Sequence, residues 1–321
     1  MKQTRLFPID HGNKNIKTLN NVFTAGFRLC DHLPVIGSDT LKYNDNEYVL
    51  VDERFPQKDD KTVDDDYFIL TLFAIGKEIA SLGQSQESSI FKNCLDIKLL
   101  IGLPPLQCKK LGPQFATYFM NRNAPIEFKF NGTPIVVKIV NVHVFPQAYA
   151  AAVTVFEDFK DMRTINVVDV GGYTVDLLQL INLRPNMTLC NSLFYGVNKL
   201  FQRINEQERA SGGKNISEPT IEGVLLGDKK VLDECADERI SLIHSAAKQF
   251  TADMIAEISQ AGLDLAENLT LFVGGGAILL EKQIEMSGLV ANSHLVRCVH
   301  ANAKGYKLLH EIQTEKCKMA V

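Results

Sequence analysis

Hydrophobic positions along this chain fall into short β-type runs that end in polar or glycine turns, alternating with longer stretches of helical period. Leu6-Phe7-Pro8-Ile9 is a first strand, and a second β-prone segment, 15–19, returns from the turn after it. Residues 41–51 predict a small hairpin around Asn44-Asp45-Asn46, and 95–103 a strand stopped by Pro104 and Pro105. Residues 126–130 and 135–139 alternate around Asn131-Gly132, a strong hairpin signal, and 141–145 form a further strand. Residues 167–170 and 175–180 read as another hairpin, with strands following at 188–193 and 269–273. Helical spacing links Phe68, Leu72, Ile75, Ile79 and Leu82, with Asp66 as N-cap and Gly83 as C-cap. Further helices are expected over 109–121, over the alanine-rich 148–156, and from Gly196 onward. The longest covers 236–261, with Ile240, Ile243, Ala247, Phe250, Met254 and Ile258 on one face and Gly262 closing it. A loop from Ala301 enters a terminal helix, while the polar stretch up to about 235 predicts no element.

Four of the strand ends carry chemistry. The first delivers Asp10 into His11-Gly12-Asn13-Lys14-Asn15-Ile16-Lys17. Turn N–H groups can cradle a phosphate, and a lysine on the returning strand can pair with it. A surface hairpin with a solvated lysine accounts for the same residues. The second is Asp169-Val170-Gly171-Gly172-Tyr173-Thr174-Val175-Asp176. Two glycines after an aspartate let the backbone approach a bulky anion, and the carboxylate suits a magnesium ion held through its waters. An ordinary Asp-Gly-Gly turn is the plain alternative. The third is Gly274-Gly275-Gly276, where three glycines leave room for a flat, bulky group such as a nucleoside. Gln147 stands where a strand ends and a helix starts. A glutamine there can orient a water for attack on phosphorus, or it can make a capping contact.

Composition narrows the classes. The 321 residues suit two domains, and 45% hydrophobic with 22% charged residues is ordinary for a soluble globular protein. A net charge of −4 supplies no basic field, so no direct DNA binding is expected. Seven scattered cysteines never reach metal-ligand spacing, which fits free thiols in a reducing cytosol. No apolar run reaches about 18 residues and no signal-peptide core opens the chain, so the expectation is a cytoplasmic protein with no membrane partner. The run Lys58-Asp59-Asp60-Lys61 with Asp64-Asp65-Asp66 reads as a solvated face with no ligand role, in a small insertion outside the main sheet. Ser211-Gly212-Gly213-Lys214 is no P-loop, because the upstream glycine of that frame is missing.

The order and spacing of the three glycine junctions are more specific than any one of them. Two halves each begin with strand, aspartate turn and strand, so the chain resembles the ATPase fold of actin, heat-shock chaperones and sugar kinases over nearly its whole length. Ile9-Asp10-x-Gly12-x-x-Asn15-Ile16-Lys17, Asp169-x-Gly171-Gly172-x-Thr174-x-Asp176 and Gly274-Gly275-Gly276-Ala277 are similar to the motifs of ParM-type plasmid actins. One departure is Gln147, where many of those sequences carry a glutamate, so the resemblance is to a divergent member.

The resemblance implies an α/β fold of duplicated, ribonuclease H-like domains around a nucleotide cleft. Domain I would span 1–150, with an insertion at 34–66 and a completing helix at 303–321. Domain II would span 151–302, with a helical subdomain at about 199–268. It further implies ATP or ADP with Mg2+ as ligands. Asp10 and Asp169 would hold the metal's waters. Gly12, Asn13, Lys14, Asn15, Lys17, Gly171, Gly172, Tyr173 and Thr174 would hold the phosphates, and Gly274, Gly275 and Gly276 the adenosine. Gln147, Asp169 and Asp10 would be catalytic. Hydrolysis would time assembly into filaments that move plasmid DNA through an adaptor protein bound to a centromere-like site. A small-molecule, sugar-type kinase of the same fold is the alternative, which Gln147 in place of a carboxylate base argues against. A chaperone-type ATPase would need a peptide-binding domain for which the chain has no room.

Overall fold

A computed structural model describes residues 4–30, 37–83, 94–122 and 125–319. Residues 34–36 of the expected insertion and 320–321 of the expected last helix lie outside them. The chain divides into two compact units, one of residues 1–154 with 300–321 and the other of residues 155–299.

In the first unit, β1 (Arg5–His11), β2 (Asn15–Lys17), β3 (Val22–Thr24), β4 (Phe27–Leu29), β5 (Thr40–Tyr43) and β6 (Asn46–Leu50) come before α1 (Asp66–Gly83). Then follow β7 (Leu95–Leu103), α2 (Pro105–Met120), β8 (Ile126–Phe130), β9 (Thr133–Pro146) and α3 (Tyr149–Val153). The last helix of the chain, α10 (Ala301–Met319), returns to this unit. Its sheet runs β3-β2-β1-β7-β9-β8-β5-β6-β4. β1, β7 and β9 are parallel neighbours, and β2 and β3 continue antiparallel from β1. A core of fully buried Ile9, Ile16, Phe68, Leu72, Phe73, Ile97, Leu99, Ile101 and Phe119 packs α1 and α2 against this sheet.

The second unit holds β10 (Thr164–Val170), β11 (Val175–Ile181), β12 (Arg184–Leu193), α4 (Val197–Ala210), α5 (Glu218–Leu226), α6 (Lys229–Glu234), α7 (Asp237–Gln260), β13 (Leu269–Val273), α8 (Gly275–Leu279), α9 (Glu281–Ser287) and β14 (Ser293–Leu295). Its sheet runs β12-β11-β10-β13-β14, with β10, β13 and β14 parallel and β11 and β12 antiparallel. That order and sense repeat β3-β2-β1-β7-β9 of the first unit, strand for strand. Both aspartate turns therefore sit at the carboxyl end of the first strand of equivalent five-stranded frames. A second core gathers Val168, Val170, Leu200, Ile204, Phe250, Met254 and Phe272 under α4 and α7.

Several local expectations change. The hairpin at 40–50 is hydrogen-bonded through β8 into the nine-stranded sheet, so it is part of that sheet and not outside it. Tyr43 and Leu41 supply apolar neighbours for Phe128 and Phe130, a pairing whose value no local pattern reveals. Pro104 and Pro105 do more than stop β7. They start α2, because a proline in the first turn lacks only an N–H that has no helical partner anyway. The two strands expected at 135–145 are one strand with a bulge at Val140, where the register against β7 shifts. The helix expected from Ala148 to 156 is shorter, Tyr149–Val153, with a 3-10 turn at Phe156–Phe159. Helices α5 and α6 occupy the stretch read as unpatterned, each started by a side-chain cap, Ser217 and Asp228. Asp66, expected as the N-cap, is the first residue of α1; its N–H donates to Asp64 Oδ1 at 3.1 Å and its carboxylate pairs with Lys58. All seven cysteines are free. Among the described residues no helix is long and apolar enough to cross a membrane.

Candidate functional site

The first turn is built by strand register. Asp10 lies opposite Lys17 and His11 opposite Ile16, which leaves residues 12–15 to reverse the chain. A Cβ at Gly12 would meet the Asn15 carbonyl oxygen at 2.6 Å, so the turn is too tight for any side chain there. Asp10 is buried, at 2% exposure, and the chain supplies it with donors from three directions. Gln147 Nε2 donates to Oδ1 at 2.6 Å, the Tyr306 hydroxyl reaches the same oxygen at 3.4 Å, and Asn302 Nδ2 reaches Oδ2 at 3.5 Å. Lys17 Nζ stands 3.7 Å from Oδ2. The carboxylate is thus held in one orientation without being locked into a close ion pair.

Gln147 is itself fixed. Its N–H donates to the Leu103 carbonyl at 2.8 Å, which ties the end of β9 to β7. The Tyr149 N–H returns to the Gln147 carbonyl at 2.5 Å, and Ala148 between them has φ 58° and ψ −57°. This is a γ-turn of the strained kind, and a non-glycine residue held there marks a position the surroundings over-determine. The Ala148 N–H is taken by Asn302 Oδ1 at 3.1 Å. No helix-capping hydrogen bond from the Gln147 side chain is present, so the capping alternative gives way to a contact with Asp10. Since a carboxylate only accepts, the Gln147 amide nitrogen faces Asp10, and its Oε1 is the group left to accept from a water.

Sequence reasoning missed the residues that brace this turn from outside. Lys61 belongs to the run read as a solvated face, yet it is 6% exposed and its ammonium donates to the His11 carbonyl. That ammonium also lies 5.2 Å from the centre of the Tyr67 ring. The Tyr67 hydroxyl donates to Asn13 Oδ1 at 2.7 Å, and His11 Nε2 pairs with Thr71 Oγ1 at 2.8 Å. His11 is fully buried, edge-on to Phe115 and stacked on Phe119, and burial foremost, then the Lys61 charge, lowers its pKa to about 3. Beyond β2, buried Glu78 accepts from the Thr18 hydroxyl, from the Asn20 N–H at 3.0 Å, and from the Asn20 and Asn21 amides at 2.8 and 2.9 Å. His300 Nδ1 donates to the Thr18 carbonyl at 2.9 Å. Charge runs and isolated polar residues give no periodic signal, so none of these partners could be picked out before the fold joined them.

The second turn and the glycine triplet come together within the second unit. Asp169 lies opposite Asp176 across the hairpin and beside Val273 in the parallel pair. Its turn closes through the Gly171 N–H to the Thr174 carbonyl at 2.8 Å. The carbonyls of Gly171, Gly172 and Tyr173 are taken by the N–H groups of Val197, Asn198 and Gly196, at 3.1, 2.9 and 3.0 Å. Residues 196–198 are a second partner set that the sequence did not disclose. Asp176 is buried and accepts from the Ser192 hydroxyl at 2.6 Å.

The three glycines are not three openings for a ligand. Gly274 has φ 91°, and a Cβ there would collide with Asp169 Oδ1 and reach the Val170 carbonyl at 2.7 Å. A Cβ at Gly276 would lie 2.7 Å from Val170 and 2.8 Å from Val197. Both are glycine because β10 and α4 pass too close for a side chain. Only a Cβ at Gly275 meets nothing within 4 Å.

Comparison with known proteins agrees with this architecture. The archaeal actin homologue MreB-like C-terminal family model matches residues 167–286, which include the second turn and the glycine triplet. No curated protein matches the sequence. Ta0583, an archaeal actin homolog, superposes with a TM-score of 0.74 at 16% identity, over 96% of this chain and 99% of its own. The psk41 ParM protein gives 0.69 at 12% identity, over 98% and 99%. The Alp12 filament structure gives 0.61 at 15% identity, over 96% and 98%. The chain has the actin-like fold, and its similarity to ParM and to archaeal actin homologues is a similarity of that fold.

Proposed function

We propose that this chain is an ATP hydrolase whose nucleotide state controls its assembly into filaments, and that it segregates plasmid DNA through an adaptor protein. The observation that carries the hydrolase reading is the 2.6 Å bond between Gln147 and the buried Asp10 carboxylate, on the turn that also bears Lys17. The assembly reading is supported by full-length likeness to proteins that include a filament subunit, Alp12, and a ParM. Nucleotide as the ligand is supported by the fold shared with Ta0583, one structure of which is a complex with ADP.

The donor set fits a magnesium nucleotide. Each aspartate turn pairs a buried carboxylate with a glycine reversal, a combination suited to an anion and to the waters of a hard cation. Asp10 and Asp169 would hold Mg2+ through water, and the ion when bound neutralises charge on the phosphate oxygens. The turn N–H groups of Gly12, Asn13, Lys14 and Asn15 and of Gly171, Gly172, Tyr173 and Thr174 would bind phosphate. Lys17 would exchange its 3.7 Å contact with Asp10 for a phosphate oxygen. Gln147 would accept a hydrogen bond from the attacking water through Oε1 while Asp10 anchors its amide. The backbone at Gly275, which has open space beside it, would face the nucleoside together with its neighbours Gly274 and Gly276.

Light scattering and pelleting with ATP, ADP and no nucleotide test this reading. ATP-dependent assembly that reverses on hydrolysis is expected, with phosphate release abolished in Asp169→Ala. Nucleotide-independent monomers that phosphorylate a sugar would replace it with the kinase reading. A lack of co-sedimentation with any DNA-bound adaptor, in a protein that still assembles, would remove the plasmid role alone.

A further inference from the structure

We infer that Lys61, outside every nucleotide motif, is a positioning residue that sets the first phosphate turn and makes nucleotide affinity depend on the 58–71 segment. The inference rests on the nucleotide reading above. Lys61 reaches the turn from a stretch of ordinary charged composition, 50 residues away along the chain, and is buried at 6% exposure. Burying an ammonium is costly unless it is satisfied, so this placement reflects a specific demand. The ammonium donates to the His11 carbonyl, the first carbonyl after Asp10, and lies 5.2 Å from the centre of the Tyr67 ring.

The effect on an anion follows from elementary electrostatics. A carbonyl oxygen at the rim of a turn repels a phosphate, and an ammonium bonded to that oxygen cancels its dipole. The same ammonium adds positive charge to the turn. Tyr67 acts beside it, because its hydroxyl fixes Asn13 in the turn at 2.7 Å. The lysine is held by its own segment. Asp60 accepts from the Thr62 N–H and hydroxyl at 2.8 and 2.7 Å and from the Gln114 amide at 2.9 Å, which anchors 60–62 to α2.

The test compares wild type, Lys61→Met, Lys61→Arg and Asp59→Asn, titrated by calorimetry with ADP and with adenosine in the presence of Mg2+. Met keeps the aliphatic stem and removes the charge. Removing one positive charge about 10 Å from a phosphate weakens binding roughly tenfold at the screening typical of a site near a protein surface. The expected result is that loss for ADP in Lys61→Met, no change for adenosine, partial recovery in Lys61→Arg, and no effect in Asp59→Asn, an exposed neighbour. Equal ADP affinity in wild type and a folded Lys61→Met would overturn the inference. Equal losses for ADP and adenosine would overturn it too, because they indicate general loosening and not a phosphate-specific role. Wild type that binds neither ligand would instead refute the nucleotide reading. If Lys61→Met does not fold, Lys61→Gln measured the same way supplies the comparison.

Discussion

Replacing His11 with Phe should make the first unit resistant to mild acid. His11 is fully buried among Tyr67, Phe115 and Phe119, its Nε2 is paired with Thr71, and its Nδ1 has no hydrogen-bond partner. Burial, then the nearby Lys61 charge, lowers its pKa from 6.5 to about 3. The sign follows from proton uptake. Below pH 6.5 the unfolded chain takes up a proton at this residue and the folded chain does not, so stability falls as pH drops from about 6.5 toward 3 and is level below that. A tenfold difference in proton affinity between the folded and unfolded chain corresponds to about 1.4 kcal/mol, so the full effect is about 5 kcal/mol, of which about 2 kcal/mol is lost between pH 7 and pH 5. Other histidines and carboxylates titrate as well, so the quantity to measure is the difference between wild type and His11→Phe. Urea unfolding followed by circular dichroism at pH 7, 6 and 5, without nucleotide, gives it. The variant loses the Thr71 hydrogen bond and starts about 1 kcal/mol less stable at pH 7. It should be level with or above wild type by pH 5. Parallel curves for the two proteins across this range would show that His11 is protonated in the folded state and refute the reasoning.

Three further perturbations follow from the same geometry. Gln147→Ala should slow phosphate release by about a hundredfold, the low end for a group that positions a reacting proton, while leaving ADP affinity near wild type in calorimetry; loss of binding instead would mean that Gln147 acts only by orienting Asp10. Glu78→Ala leaves the Thr18 hydroxyl and the Asn20 and Asn21 donors without their acceptor, and should cost about 3 kcal/mol in urea unfolding. An unchanged midpoint would show that water replaces the carboxylate. Gly276→Ala must push apart Val170 and Val197 and should cost about 1–3 kcal/mol, whereas Gly275→Ala has open space and should fold like wild type. Thermal melts of the pair that coincide would contradict the packing account.

Much of the site was legible in the residues themselves. An aspartate followed by glycine at a strand end is local chemistry, so the turns at Asp10 and Asp169 could be placed by pattern, and their repetition exposed the duplicated frame. The long amphipathic α7 and the Asn131-Gly132 hairpin were equally plain, because a 3.6 or 2 residue period is written within one window. The partners of those turns were not. Lys61 looked like surface charge, since a lysine's burial depends on what the distant His11 carbonyl needs and not on its neighbours in sequence. Asn302 and Tyr306 reach Asp10 from nearly 300 residues away, and only the return of α10 to the first unit brings them there. The triplet 274–276 shows the division most directly. Sequence established that glycine was required, and it suggested a ligand as the reason. Tertiary structure assigned two of the three to close approach by β10 and α4, because steric exclusion is a property of whatever the fold places opposite a residue.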